Sequence, residues 1–476
     1  MSRMSTAIKI DSFGGIQPRL DPMSLGDSQA TLAKNCRLHT TKLYPIQQAR
    51  NVTDFPIRLE GGLTDVAYAK TIAIWSRGEK LRDVIAWPGL VTVAPSNIRA
   101  DERFRLFVTG DTGVSDANGE NQPCALVSSK DGKTYDRHRI FITVPPPTTV
   151  TDSVPFADLD IANLRYAYFF QTWVDEYGYE SGMSPVLTDA RGNMVEVQYN
   201  DGDSVTWSGV AAAEIPSGVV ARRLYKTIAG SSEETDSIKF VIEQKMVAGS
   251  TNFPDYPNII VKDEDTGEVT SSITSIPVDL VWMTAMPGNF YVGFPRSNPR
   301  QICFSDVNLP TSFPDAYKYS IRDYAVGIAV AGNTAFVLTK GYPWAISGSD
   351  PNGMTAAQIV SEQACVSARS ICTFEGRVYY ASQDGVCMLA EDSLTSTVIT
   401  RAYWDKASWS RLNPSSCMMK SYDNALFLWF TLKDGSHESY VIDFDVGGNP
   451  IISLHDDHAS CAFTDVENDK IYFVGV

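Results

Sequence analysis

The C-terminal part of this chain repeats one β-hairpin pattern five times, and no other feature limits its possible folds as strongly. Each copy has a short apolar strand, a tight turn and a longer strand rich in aromatic residues. The turn residues lie 44, 44, 47 and 46 positions apart, at Gly288, Gly332, Gly376, Asp423 and Asp469. A period in the forties that is filled with short strands is typical of β-propeller blades. A helical repeat of this period would need apolar residues at 3.6 spacing, which the segment lacks.

Length and charge narrow the class of protein further. The 476 residues are enough for roughly two or three domains, and 43% hydrophobic and 11% aromatic content is ample for buried cores. Forty basic and fifty-six acidic residues give a net charge of −16. A surface that grips nucleic acid needs clustered Lys and Arg, so this charge argues against a nucleic-acid binder. An acidic wall instead repels phosphate, as a conduit requires.

The cysteines and the N-terminus indicate the compartment. Residues 1–13 contain no apolar core of signal-peptide length, and no stretch approaches 18 apolar residues. We therefore expect a chain that folds in a cytoplasm and has no membrane span. Its eight cysteines include no C-x-x-C pair, and most lie in or beside apolar strands. Buried, reduced thiols are the expected state.

The first third of the chain divides into three regions. Residues 1–60 form a polar arm with one candidate helix, residues 27–35, which Asp27 or Ser28 could cap. Residues 61–144 alternate short strands with loops and are long enough for about two blades. Residues 145–155 begin with three prolines and are predicted to be a stiff linker.

The remaining two thirds contain an insert and the repeats. Residues 156–262 carry strands at sandwich-like spacing, beginning with one long strand over residues 164–174, and are predicted to form a small β-sandwich. Residues 277–476 hold four to five blades. A closed ring therefore needs residues 61–144 as well, since an open ring would expose unpaired strand edges. The prediction is an all-β chain whose β-propeller is built from discontinuous segments.

Catalytic signatures are weak throughout the chain. Gly132, Lys133 and Thr134 resemble the end of a phosphate-binding loop, but Val127 stands where the upstream glycine is required. No G-x-S-x-G nucleophile elbow occurs. Residues 129–135 resemble a single, imperfect copy of the Asp-box turn of sialidase propellers, which is a structural device even in good copies.

Metal-binding candidates are similarly few. Residues 455–458 (His-Asp-Asp-His) contain the only close His pair and could hold a divalent ion, although a loop between blades is the simpler interpretation. An acidic turn does not match the spacing of an EF-hand; it contains Asp263, Glu264, Asp265 and Glu268. The recurring aromatic position in the repeats indicates packing between blades; its members are Phe290, Phe336, Tyr379, Phe427 and Phe473. We assign no catalytic, cofactor-binding or metal residue, and predict that the chain is not an enzyme.

Three stretches contain short motifs that are similar to those of one known family. The first covers residues 13–20 (FGGIQPRL) and continues through Ala30, Ala33, residues 35–38 and residues 43–45. The second joins residues 175–181 (DEYGYES) to residues 223–227 (RLYKT). The third comprises residues 304–306, 339–344, 347–351, 367–370 and 412–415. These stretches resemble the tail nozzle proteins (tail tubular protein B type) of short-tailed bacteriophages, and the second is similar to their fibronectin-III-like insert. Residues 40–42 depart from the family, which often has a glycine there.

The resemblance implies a virion structural protein at the distal end of the tail, with an N-terminal docking arm and a fibronectin-III-like insert. It implies a homo-hexameric ring that docks on a tail adaptor protein, with tail fibres or an inner plug protein as further partners. The genome would pass through the channel without specific binding. The particle would assemble in the host cytoplasm. The alternative is a host-surface carbohydrate-binding or depolymerising β-propeller protein, which would need paired carboxylates in one pocket.

Overall fold

The computed structural model shows an all-β chain. It describes residues 12–38, 42–52, 55–77, 81–97, 103–113, 122–129, 134–139, 145–152, 159–216, 218–227, 238–261, 269–270, 274–391, 395–445 and 447–476. Within these ranges one α-helix is present, α1 (Lys406–Arg411), which Asp405 caps by accepting a hydrogen bond from the Ser408 amide. Single turns of 3₁₀-helix occur at Pro22–Ser24, Val66–Tyr68, Ile161–Asn163, Ala212–Glu214, Asp315–Tyr317, Pro351–Gly353, Ala368–Ser370, Pro414–Ser416 and Val466–Asn468.

The N-terminal region contributes the arm and two sheets. Its strands are β1 (Cys36–Arg37), β2 (Tyr44–Pro45), β3 (Ile57–Leu59), β4 (Thr71–Ser76), β5 (Arg82–Trp87), β6 (Val91–Pro95), β7 (Leu106–Gly110), β8 (Cys124–Ser128) and β9 (Tyr135–Arg139). Strands β1 and β2 pair within the arm. Strands β3, β5 and β4 form one sheet, in which β3 runs parallel to β5, and β6 to β9 form a second sheet in chain order.

The middle region forms three smaller sheets. Its strands are β10 (Val150–Asp152), β11 (Leu164–Ala167), β12 (Phe169–Asp175), β13 (Val197–Asn200), β14 (Ser204–Trp207), β15 (Val219–Thr227), β16 (Ile238–Lys245), β17 (Tyr256–Ile260) and β18 (Val269–Thr270). The sheets have the orders β10-β14-β17, β11-β13 and β12-β15-β16-β18.

Two sequence-based boundaries in the middle region differ from the structure. The predicted linker, residues 145–155, contributes β10, because Val150–Asp152 pairs antiparallel with β14 instead of remaining a free connection. The predicted single strand over residues 164–174 is two strands that are separated at Tyr168, and they pair with different partners: β11 with β13, and β12 with β15. A continuous apolar run therefore serves two sheets.

The repeated hairpins are present, and each one opens a sheet. The strands are β19 (Leu280–Met286), β20 (Phe290–Pro295), β21 (Gln301–Phe304), β22 (Lys318–Ser320), β23 (Ala325–Ala331), β24 (Thr334–Thr339), β25 (Trp344–Ser347), β26 (Thr355–Gln358), β27 (Cys372–Phe374), β28 (Arg377–Ala381), β29 (Val386–Ala390), β30 (Ser396–Val398), β31 (Met418–Tyr422), β32 (Ala425–Thr431), β33 (His437–Phe444), β34 (Pro450–His455), β35 (Ala459–Asp465) and β36 (Lys470–Gly475). Four sheets have four strands in chain order, and β35 pairs with β36.

The hairpin turns explain the turn residues of the repeat. Gly288, Gly332, Gly376, Asp423 and Asp469 all have positive φ, between 46° and 94°. Glycine adopts this left-handed region without steric cost, and Asp and Asn tolerate it better than other residues. The five hairpins predicted from the spacing are thus confirmed in position and in turn chemistry.

Contacts divide the chain into two compact units, Met1–Arg137 with Asp279–Cys303 and Tyr319–Val476, and His138–Val278 with Phe304–Lys318. In the first unit a strand at one edge of each sheet contacts an edge strand of a neighbouring sheet. Strand β19 contacts β6 and β23, β27 contacts β23 and β31, and β35 contacts β31 and β4. Trp75 and Trp87 then pack with Val108 and Leu126 of the next sheet. Following these contacts leads through seven sheets and back to the start.

The second unit has its own core. Trp207, Tyr199 and Leu224 are buried between its sheets. The guanidinium of Arg222 lies 3.8 Å from the centroid of the Trp207 ring and 5.3 Å from that of Phe253, and Phe253 stacks on Trp173. Arg222 also donates to Gln244, so its buried charge is hydrogen-bonded as well as stacked.

Other expectations can be compared directly. The candidate helix over residues 27–35 is wrong, because this segment begins with a turn and continues as irregular chain, with isolated bridges from Ala30 to Ile16 and from Lys34 to Leu454 of β34. All eight cysteines are buried and unpaired. Burial raises the pKa of the Cys124 thiol to about 11 and that of Cys365 to about 12, which keeps both protonated. Among the described residues, no helix is long and apolar enough to cross a membrane.

Candidate functional site: the N-terminal arm on strand β34

The arm, here the described residues from Ser12 to Val52, lies on the outer strand of the sheet β31–β34. Gly15 makes the close approach possible. Its φ is +72°, and a Cβ at this position would lie against the backbone of Ile452. The next residue, Ile16, donates its amide to the Ile452 carbonyl at 2.9 Å and inserts its side chain into the core with Trp409 and Leu426.

Backbone pairing continues along the arm. Lys34 forms a parallel bridge with Leu454, whose amide donates to the Ala33 carbonyl at 2.8 Å and whose carbonyl accepts from the Asn35 amide at 2.9 Å. The buried Ser453 hydroxyl donates to the Cys36 carbonyl at 2.8 Å. An outer strand would otherwise expose a row of unpaired backbone groups, so the arm protects this edge of the sheet.

A buried ion pair fixes the arm where it crosses the hairpin turn. Arg37 donates from Nε to Asp443 Oδ1 at 2.7 Å and from Nη1 to Asp423 Oδ2 at 2.5 Å, and it also donates to the Asp423 carbonyl. The second oxygen of Asp443 accepts the Leu38 amide at 2.7 Å. The Arg37 side chain is 7% exposed and that of Asp443 is 0% exposed, so both charges depend on each other. Arg37 belongs to the motif Asn-Cys-Arg-Leu of residues 35–38, but nothing in the sequence indicates Asp443 as its partner.

Part of the exposed surface of the arm is apolar. A groove of about 380 Å³ lies along it, between Phe13, Leu32, Leu43 and Tyr44. Leu32 is 64% exposed and Leu43 is 55% exposed. Contiguous exposed apolar side chains on a rigidly held segment are characteristic of a surface that binds another protein. This surface is called the arm groove below.

The His-Asp-Asp-His segment does not converge on one point. Asp456 pairs with Lys34 at 2.5 Å and accepts from Asn35 at 2.7 Å, so it belongs to the arm. His455 accepts the Asp457 amide at 3.1 Å through Nδ1. His458 stacks on His437 with ring centroids 4.0 Å apart. Each side chain therefore has its own structural partner.

The stacked pair is the most strongly perturbed histidine environment in the described chain. Burial, followed by the neighbouring His437 and then Arg369, lowers the pKa of His458 from 6.5 to about 4. The Val476 amide donates to the His458 carbonyl at 3.1 Å, so this histidine also holds the C-terminal hairpin. His458 is neutral near pH 7 and acts as a packing residue there.

The remaining metal and catalytic candidates are only partly visible. The acidic turn with Asp263, Glu264, Asp265 and Glu268 lies outside the described residues, as do Gly132 and Lys133. The Ser129 hydroxyl donates to the Thr134 carbonyl and accepts the Thr134 amide. Within the described ranges, no three His, Cys, Asp or Glu side chains are close enough to hold a metal ion together.

The two motifs of the second unit that resemble the nozzle family, residues 175–181 and 223–227, take part in polar contacts. Asp175 Oδ1 accepts the amides of Tyr177 and Tyr179 and so closes the turn of residues 175–181. Glu180 accepts from Arg223 at 2.6 Å and from the Tyr225 hydroxyl at 2.6 Å. These two motifs are far apart in sequence but lie together on one sheet face, where they stabilise the β12–β15 pairing.

The motifs of the third stretch form turns and helix caps. Asp350 caps the 3₁₀ turn that starts at Pro351 by accepting the Asn352 amide. The Ser367 hydroxyl donates to the Cys417 carbonyl at 2.6 Å, which ties two neighbouring sheets together. Asn413 has φ +56° and donates to the Thr431 carbonyl. These residues serve the fold and present no reactive group.

Comparisons with known proteins add little. No protein-family model and no curated protein matches the chain. The crystal structure of the N-terminal domain of Nup159 is similar over 41% of this chain and 52% of that domain, at 9% identity and a TM-score of 0.27. The structure of YCF48 bound to D1 peptide is similar over 70% of this chain and 95% of that one, at 8% identity and a TM-score of 0.27. TM-scores this low support no conclusion about fold or function, so the all-β assignment rests on the strands themselves.

Proposed function

We propose that this chain is a virion structural protein that forms the distal tail nozzle of a short-tailed bacteriophage. In this proposal the seven sheets of the first unit are the blades of one β-propeller, built from segments on both sides of the insert. The second unit is a fibronectin-III-like sandwich. Five of the seven sheets have four strands in chain order, and edge strands of neighbouring sheets contact each other, which supports the propeller.

The arm carries the functional part of the proposal. The family-like residues 13–20 and 35–38 help to hold the arm on the sheet β31–β34, through Gly15 and Ile16 at β34 and through Arg37 at Asp443 of β33. These motifs thus hold the arm groove, with its exposed Leu32 and Leu43, on a rigid support. A segment fixed so firmly and left apolar on its outer side fits a docking role in an assembly.

The proposed assembly is a homo-hexameric ring that docks through the arm groove on the tail adaptor protein. Head-to-tail contacts between identical subunits close into a ring when the rotation per subunit permits it. Tail fibres or an inner plug protein are further proposed partners. The net charge of −16 favours a channel that DNA crosses without specific binding. The protein would be part of the virion and would assemble in the host cytoplasm.

The test is the assembly state of the full-length protein. Native mass spectrometry and electron-microscopic class averages should show six-fold rings, either alone or after addition of the purified adaptor. Leu32→Glu places a charge in the arm groove and should abolish docking on the adaptor while the protein stays folded. Val360→Glu is the matched control, because Val360 is 79% exposed and lies outside the arm groove. A mature particle that contains this chain only as isolated monomers would overturn the proposal.

The alternative function is a host-surface carbohydrate-binding or depolymerising propeller. Glycoside hydrolysis usually needs two carboxyl groups about 5–9.5 Å apart at one site. Under the nozzle proposal the chain is not an enzyme and binds no cofactor. Glycan cleavage that survives purification, and that is lost when a pair of propeller carboxylates is replaced, would favour the alternative.

A further inference from the structure

A cleft of about 250 Å³ lies where three successive sheets of the first unit meet. Thr92 of β6, Asp111 after β7, Trp282 of β19, Arg296 after β20 and Val326 of β23 all line it. None of these residues belongs to the arm or to the words that resemble the nozzle family. The volume is below the roughly 300–1,000 Å³ of pockets for drug-sized ligands, so the cleft suits a single ring.

Trp282 has an unusual backbone conformation. Its φ is +58°, and the pairing of β19 with β20 shifts register between Val281 and Thr284, so Trp282 lies in a β-bulge. A bulky residue in the left-handed region is strained, and such strain is concentrated at ligand sites. Bulges also redirect side chains, often beside binding sites. The consequence here is that an indole lines an open cleft.

The neighbouring strand is adapted to the indole. A Cβ on Gly327 would lie 2.7 Å from an edge atom of the Trp282 ring, so only glycine leaves room for the ring in this position. Buried residues of the adjoining core pack against the same side chain. The indole is therefore held on one side by the protein, yet it remains partly exposed and borders the cleft. It forms a rigid aromatic platform.

The polar side of the cleft is an ion pair. Arg296 Nη2 lies 2.7 Å from Asp111 Oδ1, and their side chains are 52% and 45% exposed. Both groups keep contact with solvent, so each has donor or acceptor capacity left for a ligand. Their charges compensate each other, and the cleft therefore has no strong preference for an anion or a cation.

We propose that this cleft binds one ring of a neutral saccharide. An aromatic face matches the apolar C–H face of a sugar ring, and a guanidinium beside a carboxylate can bind its adjacent hydroxyl groups. Asp111 is the one carboxylate among the described residues that line the cleft, so the site binds without cleaving. Binding is independent of ring formation and would allow a tail protein to contact surface glycans.

The experiment uses the full-length protein and a panel of neutral sugars, namely glucose, galactose, mannose, N-acetylglucosamine and their short oligomers. Saturation-transfer NMR identifies binders, and calorimetry gives their affinity. Arg296→Ala should weaken binding about tenfold, as expected for the loss of one charge-assisted hydrogen bond. Trp282→Phe keeps an aromatic ring in place and should weaken binding by several-fold. Arg411→Ala is the matched control, since it removes another half-exposed Arg–carboxylate pair, Arg411 with Glu438.

The outcomes are distinguishable. Binding that is weakened by the cleft variants and unchanged in the Arg411 control supports the site. Absence of binding across the panel overturns it, and so does equal affinity of the wild-type protein and the Arg296 variant. Native mass spectrometry of the same samples reports ring formation separately, so failure of the saccharide site does not bear on the nozzle proposal.

Discussion

Replacing Arg37 with Met should detach the arm, because this residue neutralises a carboxylate that has no access to solvent. The Asp443 side chain is 0% exposed and keeps one other donor, the Leu38 amide at 2.7 Å. Removing one partner of a buried ion pair typically costs about 3–5 kcal/mol, because the remaining charge stays buried and unpaired. The Asp423 branch adds little, since that carboxylate is 61% exposed. We expect a loss of about 3 kcal/mol, at the lower end of the range.

The assay should separate local detachment from global unfolding. Hydrogen exchange at the Leu38 and Asn35 amides reports the arm directly, because both amides bond to the sheet or to Asp443. A loss of about 3 kcal/mol corresponds to roughly a hundredfold faster exchange if the arm opens by itself. Limited proteolysis should then cut the arm before the sheets. Arg411→Met is the control, since the Arg411 side chain is 58% exposed and its pair with Glu438 should contribute about 1 kcal/mol or less.

A double-mutant cycle tests the cause. Asp443→Leu removes the buried charge, so Arg37→Met together with Asp443→Leu should be less destabilised than the sum of the single variants. If Arg37→Met exchanges no faster than the Arg411→Met control, the arm is held by backbone pairing alone. The buried ion pair would then not be what fixes it.

Two further predictions concern pH and chain continuity. The pKa of His458 is about 4 in the fold and about 6.5 in an unfolded chain, so the unfolded state binds more protons as the pH falls between these values. Stability should therefore decrease from about pH 6.5 towards pH 4, and His458→Asn should flatten that part of a denaturation series; an unchanged slope would contradict it. Separately, residues 277–476 expressed alone should aggregate or stay molten, because β35 and β19 lose their contacts with β4 and β6. Restoring residues 55–139 through a short linker should give a folded, soluble protein by circular dichroism, whereas a stable C-terminal fragment would disprove the discontinuous unit.

The hairpins could be predicted because their signal is local. A strand of period two, a turn residue that tolerates positive φ and a second apolar strand all lie within about fifteen positions. Gly288, Gly332 and Gly376 mark such turns, and the strands that flank them form as expected. The third and fourth strands of each sheet are harder to predict, because strands such as Trp344–Ser347 and Ser396–Val398 are short and carry no comparable pattern.

The arm could not be predicted, because its conformation is set by distant residues. Residues 27–35 contain a capping candidate, Asp27, and were expected to be helical. The Ala33 carbonyl and the Asn35 amide bond instead to Leu454 of β34, more than four hundred positions away, and this tertiary pairing overrides local propensity. The burial of Arg37 could not be predicted for the same reason, since its partner Asp443 cannot be identified without the fold.

The motifs that resemble the nozzle family share one property, which is that each contains a residue that meets a backbone constraint. Gly15 permits a close backbone approach, Asp175 closes a turn, and Asn413 adopts a left-handed conformation. Each position tolerates few residue types because a backbone constraint must be met, whichever activity the protein has. Such motifs indicate how a chain folds and which of its surfaces are held rigidly. The arm groove and the Trp282 cleft also contain side chains that no backbone constraint fixes, such as the exposed Leu32 and Arg296, so the specificity for partner and sugar must be measured there.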